Sequence, residues 1–257
     1  MCRLLGIYGQ TEIWQKIAMA FSQQAESGHV PPGKNQEPGH KDGWGITMTN
    51  QHNSAMIPVI RQLGSACGSS SFREALYTTT QPPAILLCHL RKASDIIPIN
   101  LSNAHPFFHN GWAIIHNGTV FNAQSLPCDP GLRSCSDGSD TEYFFHYLLT
   151  KIGDPPAGQT IARTIADAAA SISTDYSALN CILSNGRELY AIRQYRQWED
   201  YYTLYTYELP HSVIICSQPV DIPQLKQDNW KPLSNNLLLR IYDNPLNIER
   251  LPISGSY

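Results

Sequence analysis

Position 2 of the chain is a cysteine, directly behind Met1 and directly before the run RLLGIYG. A small second residue favours removal of Met1, which leaves Cys2 with a thiol and a free α-amine on one residue. The thiolate is the nucleophile of cysteine chemistry, and a thiol with a pKa near ~8.5 is only slightly ionised at neutral pH. An α-amine titrates near ~7.7–8.0 and is substantially neutral there. It can act as the base, directly or through a water, with no His or Asp partner. The plainer reading is a small residue that begins a strand, and position alone leaves both open.

Further groups carry chemistry along the chain. Arg91 ends the apolar run AILLCHLR. An Arg emerging from a buried run suits bidentate capture of a carboxylate, while the alternative is a surface Arg. His116, Asn117 and Gly118 follow the apolar run GWAII. An Asn amide and a Gly backbone N–H are uncharged donors, and together they would form an oxyanion hole. Asn-Gly is also the commonest short hairpin signal, and locally the turn is the stronger reading. Asp140, in SDGSDTEYFFHYLL, either caps the helix that follows or faces the ammonium group of a ligand. Trp44, in HKDGWGI, either walls a pocket or joins the core, and Asp42-Gly43 before it reads as a turn. His105, His109 and His116 have no carboxylate or Cys at ligand spacing, so no metal is expected.

These residues need elements to hold them. RLLGIYG reads as a strand, and EIWQKIAMAFSQQAES has helical spacing with Ile13, Ile17, Ala20 and Phe21 on one face. A Gly/Pro-dense loop leads to GWGITMTN and MIPVIRQ, which read as paired strands. SSFREALYT reads as a helix with Ser69 to Ser71 offering N-caps. AILLCHLRKA and GWAIIHNG lack alternation, which predicts burial on both faces. DTEYFFHYLLTKI, with Asp140 at the N-cap, and TIARTIADAAASIS read as helices. SALNCILS, RELYAIRQ, YYTLYTYE, SVIICSQ and NLLLRIY return to strands, with a hairpin at GRE. Strands in clusters separated by helix pairs predict an α+β protein of stacked, largely antiparallel sheets covered by helices.

Composition narrows the partners. The chain has 257 residues, of which 42% are hydrophobic and 15% charged, enough to fill the core of one large domain. The net charge of −3 and the lack of a basic stretch argue against nucleic acid. No window approaches the ~20 apolar residues of a membrane span, and no secretory signal opens the chain, so a cytoplasmic location is expected. No GxGxxG occurs and no cofactor is expected. The seven cysteines include no CxxC. Cys88, Cys181 and Cys216 lie in apolar runs and read as small buried hydrophobes, while Cys128 and Cys135 flank a Pro/Gly loop and are the one pair that a disulfide could join.

Taken in order, Cys2, DGWG at 42–45, HLR ending at Arg91, AHP at 104–106, HNG at 116–118 and SDTE at 139–142 resemble the class II glutamine amidotransferases, which are N-terminal-nucleophile hydrolases. The resemblance spans residues 2 to about 145. It continues more loosely through VIICSQP and NWKPLSNN, which look like the closing strands of the family's small stand-alone members. HKDGWGI points to that subgroup. The resemblance implies a four-layer αββα sandwich and a single glutamine amidotransferase domain over residues 1–257. It also implies roles. Cys2 would attack the side-chain amide of glutamine, Asn117 and Gly118 would hold the oxyanion, Arg91 would hold the substrate α-carboxylate and Asp140 its α-ammonium. Trp44, Ser94 and His105, from the same motifs, are expected to line the substrate pocket. Larger members place an aromatic residue after this Arg and a His further on, whereas here Lys92, Ala93, Ser94 and Asp95 follow. The expected partner is a small molecule, glutamine or another γ-glutamyl amide. No synthase domain follows, which leaves room for a separate acceptor or synthase protein. The reading from another class is a non-catalytic, glutaminase-like binding subunit.

Overall fold

The computed structural model describes residues 2–31, 37–49, 59–93, 98–132, 139–242 and 246–254. Within them the chain forms β1 (Cys2–Gly9), α1 (Trp14–Ser22), α2 (Gln24–Ser27), β2 (Gly43–Met48), β3 (Ile60–Gln62), α3 (Ser70–Tyr77) and β4 (Ile85–Arg91). It continues through β5 (Phe107–His109), β6 (Trp112–Val120), α4 (Asp140–Gly153), α5 (Ile161–Ala170), β7 (Tyr176–Ser184) and β8 (Leu189–Arg193). The last strands are β9 (Tyr205–Leu209), β10 (Ser212–Cys216), β11 (Lys231–Pro232), β12 (Leu237–Tyr242) and β13 (Asn247–Pro252).

These strands make two sheets, ordered β11-β9-β10-β1-β4-β2-β3 and β13-β12-β8-β7-β6-β5. Every strand pairing among the described residues is antiparallel. β1 shows why its sequence lacks alternation. Successive side chains leave opposite faces of a strand. Leu5 and Ile7 pack with Ile17, Phe21 and Phe72 of α1 and α3. Leu4 and Tyr8 pack with Leu87 of their own sheet and with Ile115 and Ile182 of the other. The outer face of the second sheet is covered by α4 and α5, where Phe144, Phe145 and Ile165 meet Ile114, Leu179 and Cys181. The order is therefore helices, sheet, sheet, helices. Both faces of each central strand are apolar because both are covered, as the sequence pattern predicts. Gly6 sets how closely the sheets approach: a Cβ there would lie 3.1 Å from Ile182 Cγ2.

Local chemistry fixes several boundaries. Ser69 caps α3, its hydroxyl oxygen accepting from Phe72 N at 3.2 Å, as expected. The GRE hairpin joins β7 to β8. β2 pairs with β3, although residues 56–58 of the expected partner lie outside the described set. The expected first helix is two helices, broken between Ser22 and Gln24. The Asn-Gly turn is overturned. β6 runs through His116, Asn117 and Gly118 to Val120, because β7 pairs with all of them: Asn117 lies opposite Asn180 and Gly118 opposite Leu179. β5, β11 and β13 carry too few apolar residues, or are too short, to have been read as strands. Cys88, Cys181 and Cys216 are fully buried, and burial pushes each thiol pKa upward. Cys135 lies outside the described residues, and with it the question of a pairing with Cys128. No described helix is long and apolar enough to cross a membrane.

Leu87 is fully buried between the sheets. Leu87→Ala is expected to cost about 2–5 kcal/mol of stability, read as a lowered urea midpoint at unchanged slope. A loss below about 1 kcal/mol would mean that the layer between the sheets is not tightly packed.

Candidate active site

The first sheet's register brings Cys2 and Arg91 together. Cys2 lies opposite Arg91 in the β1–β4 ladder, and Gly43 lies opposite Arg91 on the far side of β4. Directly opposed residues share a face, so both side chains leave the sheet on the side of the second sheet. From that second sheet β6 delivers Asn117. The backbone nitrogen of Cys2 donates to Asn117 Oδ1 at 2.8 Å. Asn117 is fully buried and its Nδ2 has no hydrogen-bond partner of ordinary geometry. The hydroxyl of Tyr201 approaches the Cys2 carbonyl oxygen at 3.5 Å.

Each of these positions has a local cause. At Gly118 a Cβ would lie 1.9 Å from the Ala178 carbonyl oxygen, so no side chain fits where β6 and β7 run together. Alternation sends His116 the other way, toward the helices. Its Nε2 faces the Ala178 carbonyl at 3.1 Å and must donate, and its Nδ1, facing Thr141 Oγ1 at 2.9 Å, accepts. Burial lowers its pKa, and His116 acts here as a brace between β6, β7 and α4. Asp140 needs a correction. The N-cap of α4 is Ser139, which makes no side-chain capping bond, and Asp140 is the first helical residue. Its Oδ2 accepts from Val120 N at 2.9 Å, where the β6–β7 register shifts between Thr119 and Val120. The carboxylate thus ties the start of α4 to the strand that carries Asn117.

Arg91 is 4% exposed. Its Nη2 donates to the Pro98 carbonyl at 2.9 Å, and its Nη1 has no partner among the described residues. A buried guanidinium with an open donor is suited to an anion. Lys92 turns away from it. Its Nζ donates to the carbonyls of Glu37 at 2.8 Å and Gly39 at 3.2 Å, and the neighbouring Ala93 N donates to Asp42 Oδ2 at 2.8 Å. Ser94 and Asp95 lie outside the described residues. Trp44 is a correction: it faces the helical layer, edge-on to Phe72 at 5.1 Å, because residues 44, 46 and 48 of β2 all point there. The DGWG motif serves the site through its second glycine instead. A Cβ at Gly45 would lie 2.1 Å from the His105 carbonyl oxygen, so the bare backbone lets the Ala104–Pro106 segment cross β2 and carry His105 inward.

His105 does reach the site, and with it comes a residue that sequence reasoning missed. Cys2, His89 and His105 place one donor atom each within 4.8 Å of one another. The two rings lie 4.1 Å apart, and all four ring nitrogens are buried without partners of ordinary geometry. Burial, helped by the charge of Arg91, holds both pKa values well below 6.5, so both rings are neutral. The signal for His89 was its spacing: two residues before Arg91 in one strand, it must share that residue's face. Arg3 was missed too. It is buried on the opposite face, bonded to the carbonyls of His29 and Ser217 and stacked 4.9 Å over Tyr201, and it anchors the strand that carries Cys2.

Two antiparallel sheets between helical layers, with a cysteine at position 2 meeting an asparagine from the opposite sheet, define an N-terminal-nucleophile hydrolase fold. The family model of class-II glutamine amidotransferases matches residues 1–225. The chain belongs to that family. It is 28% identical over 204 residues to an uncharacterized protein of Methanocaldococcus jannaschii, covering 76% of this chain and 52% of that one. The chain thus spans about half the length of that relative. It is 27% identical over 228 residues to a γ-glutamyl-hercynylcysteine sulfoxide hydrolase of Mycobacterium tuberculosis, covering 86% of each. Among solved structures, a glutamine aminotransferase class-II domain protein of Silicibacter pomeroyi superposes with a TM-score of 0.62 at 16% identity, covering 99% of this chain and 100% of that one.

His40 is fully buried in the loop that Lys92 anchors, and burial, with the charge of Arg3, lowers its pKa to about 2 from 6.5. A folded-state pKa below the unfolded one means that the unfolded chain binds more protons between those values. His40 therefore costs no stability above pH 6.5 and an increasing amount as pH falls below it toward 2. His40→Gln is expected to lose less stability than the parent between about pH 7 and about pH 5, measured by urea midpoints. Equal losses in the two proteins would show that His40 does not titrate on unfolding.

Proposed function

We propose that this protein hydrolyses the side-chain amide of glutamine through a γ-glutamyl thioester on Cys2. The observation that carries the reading is the contact between Cys2 N and Asn117 Oδ1 at 2.8 Å. An amide that accepts at its oxygen must present its nitrogen elsewhere. Asn117 Nδ2 is thereby a buried donor without a partner of ordinary geometry, with the Tyr201 hydroxyl as its neighbour.

The chemistry follows from these groups. With Met1 removed, the Cys2 α-amine takes the thiol proton and hands it to the leaving nitrogen. The sulfur attacks the amide carbon, and the oxygen of the tetrahedral intermediate is held by Asn117 Nδ2 and the Gly118 N–H. Buried, preformed, uncharged donors stabilise such an oxyanion without reorganising during the reaction. The C–N bond breaks and ammonia leaves. Water, deprotonated by the same amine, then cleaves the thioester to glutamate and free Cys2. The open Nη1 of Arg91 suits the α-carboxylate, Asp140 the α-ammonium, and His105 lines the wall. Ser94 completes the proposed contacts from the segment that follows Arg91. All of these roles lie within one domain over residues 1–257. A non-catalytic binding subunit has no use for an N-terminal thiol fixed beside an open donor.

A second reading keeps the nucleophile and enlarges the leaving group. Its support is the Mycobacterium tuberculosis relative, named for hydrolysis of a γ-glutamyl conjugate and matched over 86% of both chains. Arg91, Asn117 and Asp140 address only the γ-glutamyl half, so both substrates suit them.

The test is intact mass after incubation with a diazoketone analogue of glutamine. One adduct is expected, absent in Cys2→Ala. No adduct, or one that survives Cys2→Ala, overturns the nucleophile. Asn117→Ala is expected to lower kcat by about 10²–10³, the cost of one oxyanion donor. Ammonia and glutamate release from glutamine and from γ-glutamyl peptides separates the two readings, and turnover of the peptides alone would exclude glutamine as substrate.

A further inference from the structure

Cys2 has one more set of neighbours. Its thiol, His89 and His105 supply three donors within 4.8 Å of one another. We propose that these three residues form a binding site for a thiophilic divalent cation, with Zn2+ as the fitting ion, and that its occupancy silences the Cys2 nucleophile.

The donor set is one that zinc takes: a thiolate and two imidazoles, with a fourth position left for water. Bond lengths of about 2.3 Å to sulfur and 2.0–2.1 Å to nitrogen require tetrahedral donors to sit about 3.4–3.6 Å apart. The donors are already held within 4.8 Å of one another, about an ångström from that spacing. Among the described residues, the one other partner near the rings is the His116 backbone, which faces His89. All four nitrogens of His89 and His105 are buried without ordinary hydrogen bonds, although both residues are at most 6% exposed. Buried polar atoms are rarely left unpaired, and a cluster of them around one point marks a missing ligand. Their positions are rigid. His89 sits in the middle of the first sheet opposite Leu4, and the backbone of His105 rests on Gly45. Binding exchanges the thiol proton for the cation. The Cys2 sulfur keeps its electron pair in the new bond, and the proton leaves to solvent, so the site strengthens as pH rises.

The silencing step rests on the proposed thioester chemistry, since a metal-bound thiolate cannot attack an amide carbon. The metal site itself does not rest on it. Cobalt(II) is the probe, added to the full chain with Met1 removed, under a phosphine reductant. One equivalent should give a thiolate-to-cobalt charge-transfer band, which zinc displaces and Cys2→Ser abolishes. His89→Asn and His105→Asn should each weaken binding by more than the ~10–100-fold that loss of an outer-shell partner costs. No charge-transfer band at saturating cobalt, a band that survives Cys2→Ser, or affinity unmoved by either His variant overturns the site. A second measurement needs no variant and so no assumption that one folds. Zinc should slow alkylation of Cys2 at least about tenfold, because only the free thiolate reacts, while the half-buried Cys67 and Cys128 keep their rates. Equal slowing at all three, or none at Cys2, counts against the site. Turnover without cobalt binding overturns this inference alone. Cobalt binding in a chain that turns over no γ-glutamyl amide overturns the proposed function alone.

Discussion

The hydrogen bond from the Cys2 backbone nitrogen to Asn117 Oδ1 joins the two sheets at their chemically important point. It is made between residues 115 positions apart, so it exists only if both sheets are complete and correctly spaced. On one side, β1 is held between β4 and β10, and Arg3 fixes the start of the strand. On the other, β6 is held by β7, by the His116 brace and by Asp140. Gly6 and Gly118 remove the side chains that would push these strands apart. The bond also orients the amide. With its oxygen occupied by Cys2, the asparagine must direct its nitrogen elsewhere.

The electrostatics around Cys2 follow from burial. Arg91 is a nearly enclosed cation with one open donor, and His89 and His105 are neutral because charging them would leave an imidazolium without solvent. The site therefore offers one fixed positive charge, uncharged donors and a soft sulfur. Unpaired buried polar atoms are costly, and a folded domain tolerates few of them. Here Asn117 Nδ2, Arg91 Nη1 and the nitrogens of His89 and His105 are such atoms, and each of the two imidazoles brings one nitrogen within 4.8 Å of the Cys2 thiol. Such a concentration costs stability in the free protein, and it is the expected signature of a surface built to be completed by a ligand.

Much of this was legible in the sequence because the signals are local. Burial on both faces of β1, β4 and β6 showed in their unbroken apolar runs, and the cap of α3 showed in its serines. The ordered set Cys2, Arg91, Asn117 and Asp140 was readable as chemistry because each residue sits at the end of an apolar run or beside a helix start. Other features were read wrongly for the same reason. Asn117-Gly118 carries the local code of a turn, and only pairing with β7 keeps it extended. Asp140 carries the local code of a cap, and only the register shift in β6 draws its carboxylate to Val120. Trp44 stands in a motif of the site, yet the parity of β2 turns it to the helices.

The sequence by itself determined the layer architecture and the order of the candidate groups along the chain, since hydropathy periods and residue chemistry are properties of the chain. The tertiary structure alone decided which groups meet. Cys2 lies far along the chain from His89 and His105, and the three converge because a two-residue period places His89 on the face of Arg91 and a bare Gly45 lets the His105 backbone lie against β2. Contact between distant residues depends on strand order, register and spacing. Those are set by packing the whole chain at once, and no local window contains them.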